Sequence, residues 1–289
     1  MDVISARGIT KRYGSRVALD NLDLEVSEGT IVGIVGPNGS GKTTALTAIA
    51  GLIPFDGHLE VLGVDPWKHR SALMRDVAFI PDVAVLPRWI RVSQLLDYVA
   101  GVHPRLDRDR AESLLGQTGI SRESRVGELS KGMVTQLHLS VALSIDGRLL
   151  ILDEPTLGLD PLFRKQFYDT LLGEYLERKL TVIITTNELT EMQHVLTDVV
   201  FMGAGRAVFS SSVEEIDARF VEVSVHPDRL AAARALDPIY ERPGIGRTDM
   251  IFDGADKARI ASLGTTRTPS IPDLFVAVMN GSHGQRKSA

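Results

Sequence analysis

Short, largely apolar runs alternate along the chain with polar turns and with segments of helical periodicity. Residues 30–35, 149–152 and 181–185 are runs of this kind, typical of strands buried on both faces of a parallel sheet. Residues 77–81 form another run, which ends at a proline. From about residue 90 to 145, apolar residues recur at helical spacing. This order predicts an α/β core with a mixed, mainly parallel sheet and a helical insert.

Shorter patterned segments lie on both sides of this core. Residues 3–9 and 17–26 are predicted to form two strands around a polar turn at residues 11–15. Beyond a serine cluster near residue 211, the patterns predict strands at 220–225 and 250–252 and helices at 227–236, 255–263 and 272–279. The C-terminal part therefore reads as a small α+β domain.

The change of pattern after the serine cluster sets the predicted domain boundary. Residues 1–212 are expected to form one large domain, with a helical subdomain at about residues 85–145. Residues 213–289 are expected to form the C-terminal α+β extension. No internal repeat or low-complexity tract is present in the sequence.

The apolar run at 30–35 leads into Gly-Pro-Asn-Gly-Ser-Gly-Lys-Thr-Thr, with a helix predicted at 43–52. Glycines let successive backbone N–H groups point at phosphate oxygens, and the next helix N-terminus adds partial positive charge. Lys42 is suited to bridge the β- and γ-phosphates, and the Thr43 hydroxyl to bind Mg²⁺. A chance glycine-rich turn is the alternative, but the strand before it and the helix after it favour a P-loop NTPase core. The candidate phosphate-binding residues are Gly36, Pro37, Asn38, Gly39, Ser40, Gly41, Lys42, Thr43 and Thr44.

A second motif, Leu-Leu-Ile-Leu-Asp-Glu-Pro, occupies residues 149–155. A carboxylate at the end of a buried strand can hold Mg²⁺ through its water shell, which is the role we assign to Asp153. Glu154 is then the natural general base for a water that attacks the γ-phosphate. A solvated Asp-Glu pair at a strand end is the alternative, and the phosphate loop upstream argues against it.

Composition narrows the possible partners and the location. The chain of 289 residues has a net charge of −5 and no cysteine, which excludes disulfides, thiolate metal sites and thiol nucleophiles. The charge gives no overall argument for nucleic acid as a partner. No run approaches the roughly 18 apolar residues of a membrane span, and the N-terminus does not read as a secretory signal. We expect a cytoplasmic protein that depends on another subunit for any membrane span.

The segment Glu128–Met133 contains Leu-Ser-Lys-Gly-Met and lies shortly before Asp153. Here the chain resembles the ATP-binding cassette (ABC) family, whose signature Leu-Ser-Gly-Gly-Gln falls in this place. Lys131 and Met133 depart from the commonest form and resemble cassettes that serve ABC-2-type membrane proteins. Tyr13 matches the family's adenine-stacking aromatic residue, and Leu157–Asp160 matches its D-loop. Residues 269–281 resemble the end of a C-terminal extension common in that subfamily.

The resemblance implies a mechanism with two cassettes. ATP is expected between the phosphate loop of one cassette and the signature of the other, so that Ser130 and Gly132 contact ATP on the opposite protomer. Helical residues 85–145 are expected to dock a polytopic membrane permease. The implied cofactors are ATP and Mg²⁺, and the implied location is the inner face of the cell membrane. The second cassette is either identical or different, and no nucleic-acid partner is expected.

Two positions depart from the family pattern. Asp82 replaces the usual Gln, so it can still contact Mg²⁺ but adds negative charge beside a triphosphate. Asn187 replaces the usual His at a catalytic position, and an amide cannot carry positive charge. His194 lies about two helical turns further on and is not expected to substitute. We hypothesise that hydrolysis is slowed; alternatively, Asn187 and local water suffice, since Glu154 is present.

The leading interpretation is therefore the ATPase subunit of a transporter, with export expected from the subfamily resemblance. The runner-up is a hydrolysis-impaired, nucleotide-gated structural or regulatory cassette that pairs with an active one. Soluble cassettes for DNA repair or translation are disfavoured because long coiled coils, zinc modules and a second cassette are absent from the sequence. A nucleotide kinase is disfavoured because Glu154 and Ser130 occupy hydrolase and dimer positions.

Overall fold

The structure is a computed structural model that describes residues 1–82, 86–186, 189–254 and 256–285. The chain divides into two compact units. The first consists of Met1–Val195 and Met202–Ala207, and the second of Leu196–Phe201 and the residues from Val208 onward. The domain boundary that the sequence places after residue 212 remains a prediction.

The first unit combines strands and helices in alternation. Its strands are β1 (Asp2–Tyr13), β2 (Arg16–Ser27), β3 (Ile31–Val35), β4 (Asp56–Val61), β5 (Val77–Ile80), β6 (Leu149–Asp153) and β7 (Thr181–Thr186). Its helices are α1 (Lys42–Ile49), α2 (Arg70–Leu73), α3 (Val92–Val102), α4 (Arg108–Gly116), α5 (Lys131–Leu143), α6 (Pro161–Arg178) and α7 (Leu189–Met192).

A parallel sheet holds the edge at which the candidate site lies. β5, β6, β7 and β3 lie side by side in that order, each parallel to its neighbour. Every residue of β3, β6 and β7 is buried, which confirms strands covered on both faces. Val35 lies beside Thr186, and Asp153 beside Thr185. The register therefore brings the phosphate loop and Asp153 to the same edge of the sheet.

An antiparallel hairpin of β1 and β2 lies beside β4, with β1 in the middle. The turn between the strands contains only Gly14 and Ser15, whereas the sequence predicts a turn at residues 11–15. Tyr13 pairs directly with Arg16. Polar side chains at this end of the hairpin are exposed, so their polarity does not end the strands.

The helical region has an apolar cluster of its own. The sequence predicts a helical pattern from about 90 to 145, and the structure divides it into α3, α4 and α5. Asp107 caps α4 by accepting the N–H of Arg110 at 2.9 Å, and Ser130 caps α5 by accepting that of Met133 at 3.2 Å. The buried members of the cluster are Ile90, Val92, Leu95, Leu96, Ala111, Leu115, Ile120, Val126 and Leu137.

An apolar groove of about 290 Å³ lies beside this cluster. Its lining includes Phe79, Leu95, Val99, Val141 and His138. Burial lowers the pKa of the His138 imidazole to about 4. The ring is therefore neutral at neutral pH and forms part of an apolar surface.

We expect His138→Gln to change the pH dependence of the free energy of unfolding. The folded chain keeps His138 neutral down to about pH 4, whereas the unfolded chain protonates it below about pH 6.5. The folded chain therefore has its full free energy of unfolding, as far as His138 is concerned, above about pH 6.5. This free energy decreases as the pH falls towards 4. Urea unfolding is expected to show the variant gaining about 2 kcal/mol on the parent between about pH 7.5 and about pH 5.

The exposed His58, whose side chain is 62% accessible, provides the matched control. His58→Gln is expected to follow the parent at both pH values. A stability difference between His138→Gln and the parent that stays constant with pH would contradict a half-buried, neutral His138.

The second unit confirms a small α+β domain. β8 (Asp198–Gly203) and β9 (Arg206–Ser212) have residues in both units. The remaining elements are α8 (Val213–Arg219), β10 (Phe220–Val225), α9 (Leu230–Arg234), β11 (Tyr240–Gly244), β12 (Arg247–Asp253), α10 (Lys257–Ala261), β13 (Gly264–Arg267) and α11 (Ile271–Gln285). The helices at 227–236, 255–263 and 272–279 were thus predicted in the right places with inexact ends.

β11, β12, β10 and β13 form an antiparallel sheet in that order. Val223 of β10 and Phe252 of β12 belong to its apolar core. Glu222 precedes Val223 in β10 and therefore faces the opposite side of the sheet, because side chains alternate between the faces of a strand. It is buried and forms ion pairs with Arg242 and Arg267. Within the described residues, no helix is long and apolar enough to cross a membrane.

Candidate functional site

The phosphate loop, residues 36–41, connects β3 to α1 and requires glycine at its first and last positions. A Cβ at Gly36 would lie 2.4 Å from the carbonyl oxygen of Met202 and 2.5 Å from Oγ of Ser40. Gly41 has a φ of +105°, and a Cβ there would lie 2.5 Å from the carbonyl oxygen of Ala18. Close packing therefore excludes any larger residue at either end of the loop.

Lys42 is the cation at the base of the loop, and only 6% of its surface is exposed. Its Nζ donates to the carbonyl oxygen of Gly36 at 2.7 Å and lies 3.6 Å from Oε1 of Glu154. Oγ of Ser40 is buried and has no hydrogen-bond partner among the described residues. Thr43 is exposed, so its hydroxyl can reach a ligand. The loop thus offers a cation and two hydroxyl groups to an anion.

Asp153 is held rigidly at the end of β6, with 1% exposure. Its Oδ1 accepts the hydroxyl of Thr185 at 2.6 Å. Its Oδ2 is buried and has no hydrogen-bond partner in the described part of the chain. An unpaired buried carboxylate oxygen is costly, and a bound cation or its water would satisfy it.

Glu154 follows in a left-handed conformation, with a φ of +48°. Thr185 fixes this turn by accepting the N–H of Glu154 at its hydroxyl, 2.9 Å away, and at its carbonyl oxygen, 3.2 Å away. Burial raises the pKa of the Glu154 carboxyl; Lys42 acts in the opposite direction, while Asp153 and Asp82 add to the rise. This carboxylate is therefore a stronger base than an ordinary Glu.

Lys42, Thr43 and Glu154 border a cavity of about 580 Å³. Its lining brings together Tyr13, residues 38–44, Asp82 and Glu154, as the sequence predicts for one site. The ring of Tyr13 is 51% exposed at the end of β1. Asp153 is buried at the end of β6 and does not border the cavity. The arrangement gives an elongated anion a loop of N–H groups, and an aromatic ring lies in the same cavity.

Ser130 and Gly132, the predicted signature contacts, do not border this cavity. Ser130 is exposed at the N-terminus of α5. Gly132 is buried, and a Cβ there would lie 3.1 Å from the ring of Phe163 in α6. Nζ of Lys131 would lie 2.6 Å from a Cβ at Gly158 in the D-loop segment. The signature and the D-loop are therefore neighbours within this chain.

The predicted catalytic residue Asn187 lies outside the described residues. His194 is exposed, and its ring centroid lies 6.3 Å from that of the buried Tyr168. It does not border the cavity. Its contact is with an aromatic ring of α6.

Two residues of the site were not predicted from the sequence. Thr185 holds both Asp153 and the backbone of Glu154, and Arg16 borders the cavity. A Thr-Thr pair at the end of a buried strand was a usable signal for Thr185. Arg16 belongs to no recognisable sequence motif, and only the folding of the β1–β2 hairpin places it near the phosphate loop.

The residues present fit Mg²⁺, which prefers oxygen ligands and keeps several waters. Oδ2 of Asp153 is unpaired and buried, while Thr43 and Asp82 are exposed. All three carry oxygen donors at one edge of the sheet. We therefore treat these three as the candidate metal contacts.

Comparisons with known proteins agree with this geometry. A family model described as "ABC transporter" matches residues 19–157. The daunorubicin resistance ATP-binding protein DrrA3 of Streptomyces coeruleorubidus is 33% identical over 247 residues, covering 82% of this chain and 78% of the relative. The Nod factor export ATP-binding protein I of Cupriavidus metallidurans is 33% identical over 268 residues, covering 86% of each chain.

A solved dimeric bacterial ABC transporter cassette has the same fold. It matches with a TM-score of 0.65 and 22% identity, covering 73% of this chain and 98% of that structure. The match confirms the P-loop NTPase core that the sequence predicts. The two relatives, each 33% identical over most of the chain, show that it belongs to the ATP-binding proteins of the ABC transporter family.

Proposed function

We propose that the cavity binds ATP with Mg²⁺ and that hydrolysis there drives export through separate membrane subunits. Cassettes of this family bind ATP, are ATPases and pair with membrane permeases. The observation that carries the proposal for this chain is a single cavity bordered by Lys42, the phosphate loop and Glu154.

The proposed nucleotide contacts follow the lining of the cavity. Adenine stacks on Tyr13, a contact worth about 1–3 kcal/mol per base. The triphosphate lies along the phosphate loop, where N–H groups and the N-terminus of α1 favour an anion. Thr43, Asp82 and Asp153 would hold Mg²⁺, which neutralises phosphate charge when bound. Lys42 supplies the buried positive charge.

Glu154 is the proposed general base. It accepts a proton from the water that attacks the γ-phosphate, and Lys42 and Thr185 hold it in place. The fraction of Glu154 in its basic form increases with pH, and its raised pKa moves this transition to higher pH than for an ordinary Glu. ATP turnover is therefore expected to increase on the alkaline side of that pKa.

A second cassette completes the proposed site. Ser130 is exposed and outside its own cavity, which leaves it free to contact ATP bound to the partner. The N-terminus of α5 then adds partial positive charge near the γ-phosphate. Closure of the pair depends on that phosphate and reverses after hydrolysis. Gly132 assists by letting α5 approach α6 closely.

The helical region is the proposed docking surface for the permease. Trp89, Tyr98 and Val102 are more than half exposed there, at 71%, 63% and 61%. Some residues that line the apolar groove, such as Val99, are close to them in the sequence. Such exposed apolar side chains favour a protein partner. Docking would place the chain at the inner face of the cell membrane. Export is proposed because one relative carries an export function in its name.

Co-purification tests the proposed membrane partnership. An affinity-tagged chain isolated from solubilised membranes is expected to retain a polytopic protein, and Trp89→Ala with Tyr98→Ala is expected to retain less of it. In inside-out vesicles, ATP-dependent uptake of the cargo corresponds to export, and ATP-dependent loss corresponds to import. Recovery of the chain without any membrane protein would contradict the proposed function.

Asp82 and Asn187 support a second proposal, that hydrolysis is slow. Asp82 borders the cavity and raises the pKa of Glu154, so a larger fraction of this carboxyl is protonated and unable to accept a proton. It also adds negative charge where the triphosphate binds. Asn187 lacks the positive charge of the family's usual His. One missing contact to a transition state typically costs a few kcal/mol.

Asp82→Gln is expected to raise steady-state ATP turnover about tenfold or more. Removal of the Asp82 carboxylate lowers the pKa of Glu154 towards its ordinary value, so the acidic limb of the pH–rate profile moves to lower pH. Turnover measured across pH with the permease present checks both effects. Asp169→Asn removes an equal charge away from the cavity and is expected to leave the profile in place.

Asn187→His is the companion variant for the slowed-hydrolysis proposal. If neither Asn187→His nor Asp82→Gln raises turnover, hydrolysis is not limited by these residues. If the parent binds ATP and pairs but turns over little, the gated structural or regulatory cassette is favoured. A membrane preparation with two different cassettes would then identify its active partner.

A further inference from the structure

Arg16 begins β2 directly after the turn of the hairpin. Side chains two residues apart on a strand point to the same face, and Arg16 and Ala18 both border the cavity. The carbonyl oxygen of Ala18 packs against Gly41. The start of β2 therefore runs along the phosphate loop and carries Arg16 with it.

The guanidinium of Arg16 lies beside the turn of the phosphate loop. A Cβ at Gly39 would lie 3.3 Å from Nη2 of Arg16. Gly39 belongs to the stretch of loop, residues 38–44, that lines the cavity. A phosphate held by this loop would therefore be within reach of the Arg16 side chain.

The charged side chains that line the cavity suggest a role for Arg16. Among the described lining residues, Lys42 and Arg16 carry positive charge, and Asp82 and Glu154 carry negative charge. Lys42 already contacts Glu154 and the carbonyl oxygen of Gly36. Arg16 forms no ion pair with the described side chains, whereas Arg206 of β9 pairs with Asp20 of β2 at 2.7 Å.

We propose that Arg16 is a second phosphate-binding cation of the nucleotide site, in addition to Lys42. The inference rests on the proposed nucleotide site. A guanidinium offers several N–H donors in one plane and matches phosphate oxygens in pairs. Arg16 binds the phosphate chain from the side of the hairpin and offsets the negative charge that Asp82 introduces. Its ligand class is nucleoside di- and triphosphates.

The experiment measures ATP and ADP affinity by calorimetry in the hydrolysis-blocked Glu154→Gln full-length chain. Arg16→Ala is expected to weaken both nucleotides about tenfold or more. Arg16→Lys, which keeps the charge, is expected to recover part of the loss. Arg12→Ala is the matched control, because Arg12 lies on the same hairpin, is exposed and does not border the cavity. It is expected to stay within about twofold of the parent.

Thermal unfolding separates phosphate binding from a merely structural role. Without nucleotide, the unfolding midpoint of Arg16→Ala is expected to match that of Arg12→Ala, while its rise on adding ATP is smaller. Equal affinities for Arg16→Ala and Arg12→Ala would overturn the inference and leave the nucleotide site intact. Failure of the Glu154→Gln parent to bind ATP would remove the proposed site, and Arg16's role with it.

Discussion

Glu154→Gln is expected to lower steady-state ATP turnover by about 10²–10⁴ while ATP binding persists. The substitution removes the proton acceptor but keeps the length and shape of the side chain. The turn that holds residue 154 depends on backbone bonds to Thr185, so it does not need the carboxylate. Phosphate release measured with the membrane partner present gives the rate, and calorimetry gives the affinity.

The same variant is expected to accumulate as an ATP-bound pair of cassettes. Closure requires the γ-phosphate, and blocked hydrolysis preserves it. Size-exclusion chromatography with ATP, with ADP and without nucleotide detects the pair. Glu25→Gln changes an exposed carboxylate of β2 and is expected to behave as the parent. Turnover above a tenth of the parent's in Glu154→Gln would show that another group accepts the proton.

The sequence predicted the parts of this site that depend on neighbours along the chain. The phosphate loop needs a buried strand, glycines at fixed spacing and a helix, and all three are contiguous. β3, β6 and β7 agree with the apolar runs because strands buried on both faces tolerate few polar residues. The local geometry of such a contiguous motif can therefore be predicted from its sequence alone.

The parts that depend on distant contacts could not be predicted. The hydroxyl of Thr185 on β7 donates to Asp153 on the adjacent strand β6, 32 residues earlier in the chain, and the packing of Phe163 on Gly132 joins two helices. Arg16 reaches the phosphate loop only because the hairpin folds beside it. The long helix α6, Pro161–Arg178, has an irregular pattern, since exposed Leu162 and Leu176 interrupt its polar face.

Lys42→Ala is expected to weaken ATP binding about a hundredfold or more. The ammonium is 6% exposed and lies 3.6 Å from Glu154, so its removal also leaves a half-buried carboxylate without its neighbouring cation. That carboxylate then repels the incoming triphosphate. Calorimetry with ATP measures the loss, and the exposed Lys165→Ala serves as the control of equal charge. Unchanged affinity would show that the triphosphate does not bind at this loop.

Mixing two inactive chains tests whether each ATP is held by both cassettes. Lys42→Ala lacks the phosphate-loop cation, and Ser130→Arg blocks the signature, so each homodimer has two defective sites. In a mixed dimer, the intact Lys42 of one chain faces the intact Ser130 of the other and restores one site of two. With equal amounts and random pairing, activity should return to roughly a quarter of the parent's, because a two-fold interface repeats each contact. No recovery, with mixed dimers present, would mean that Lys42 and Ser130 act within one chain.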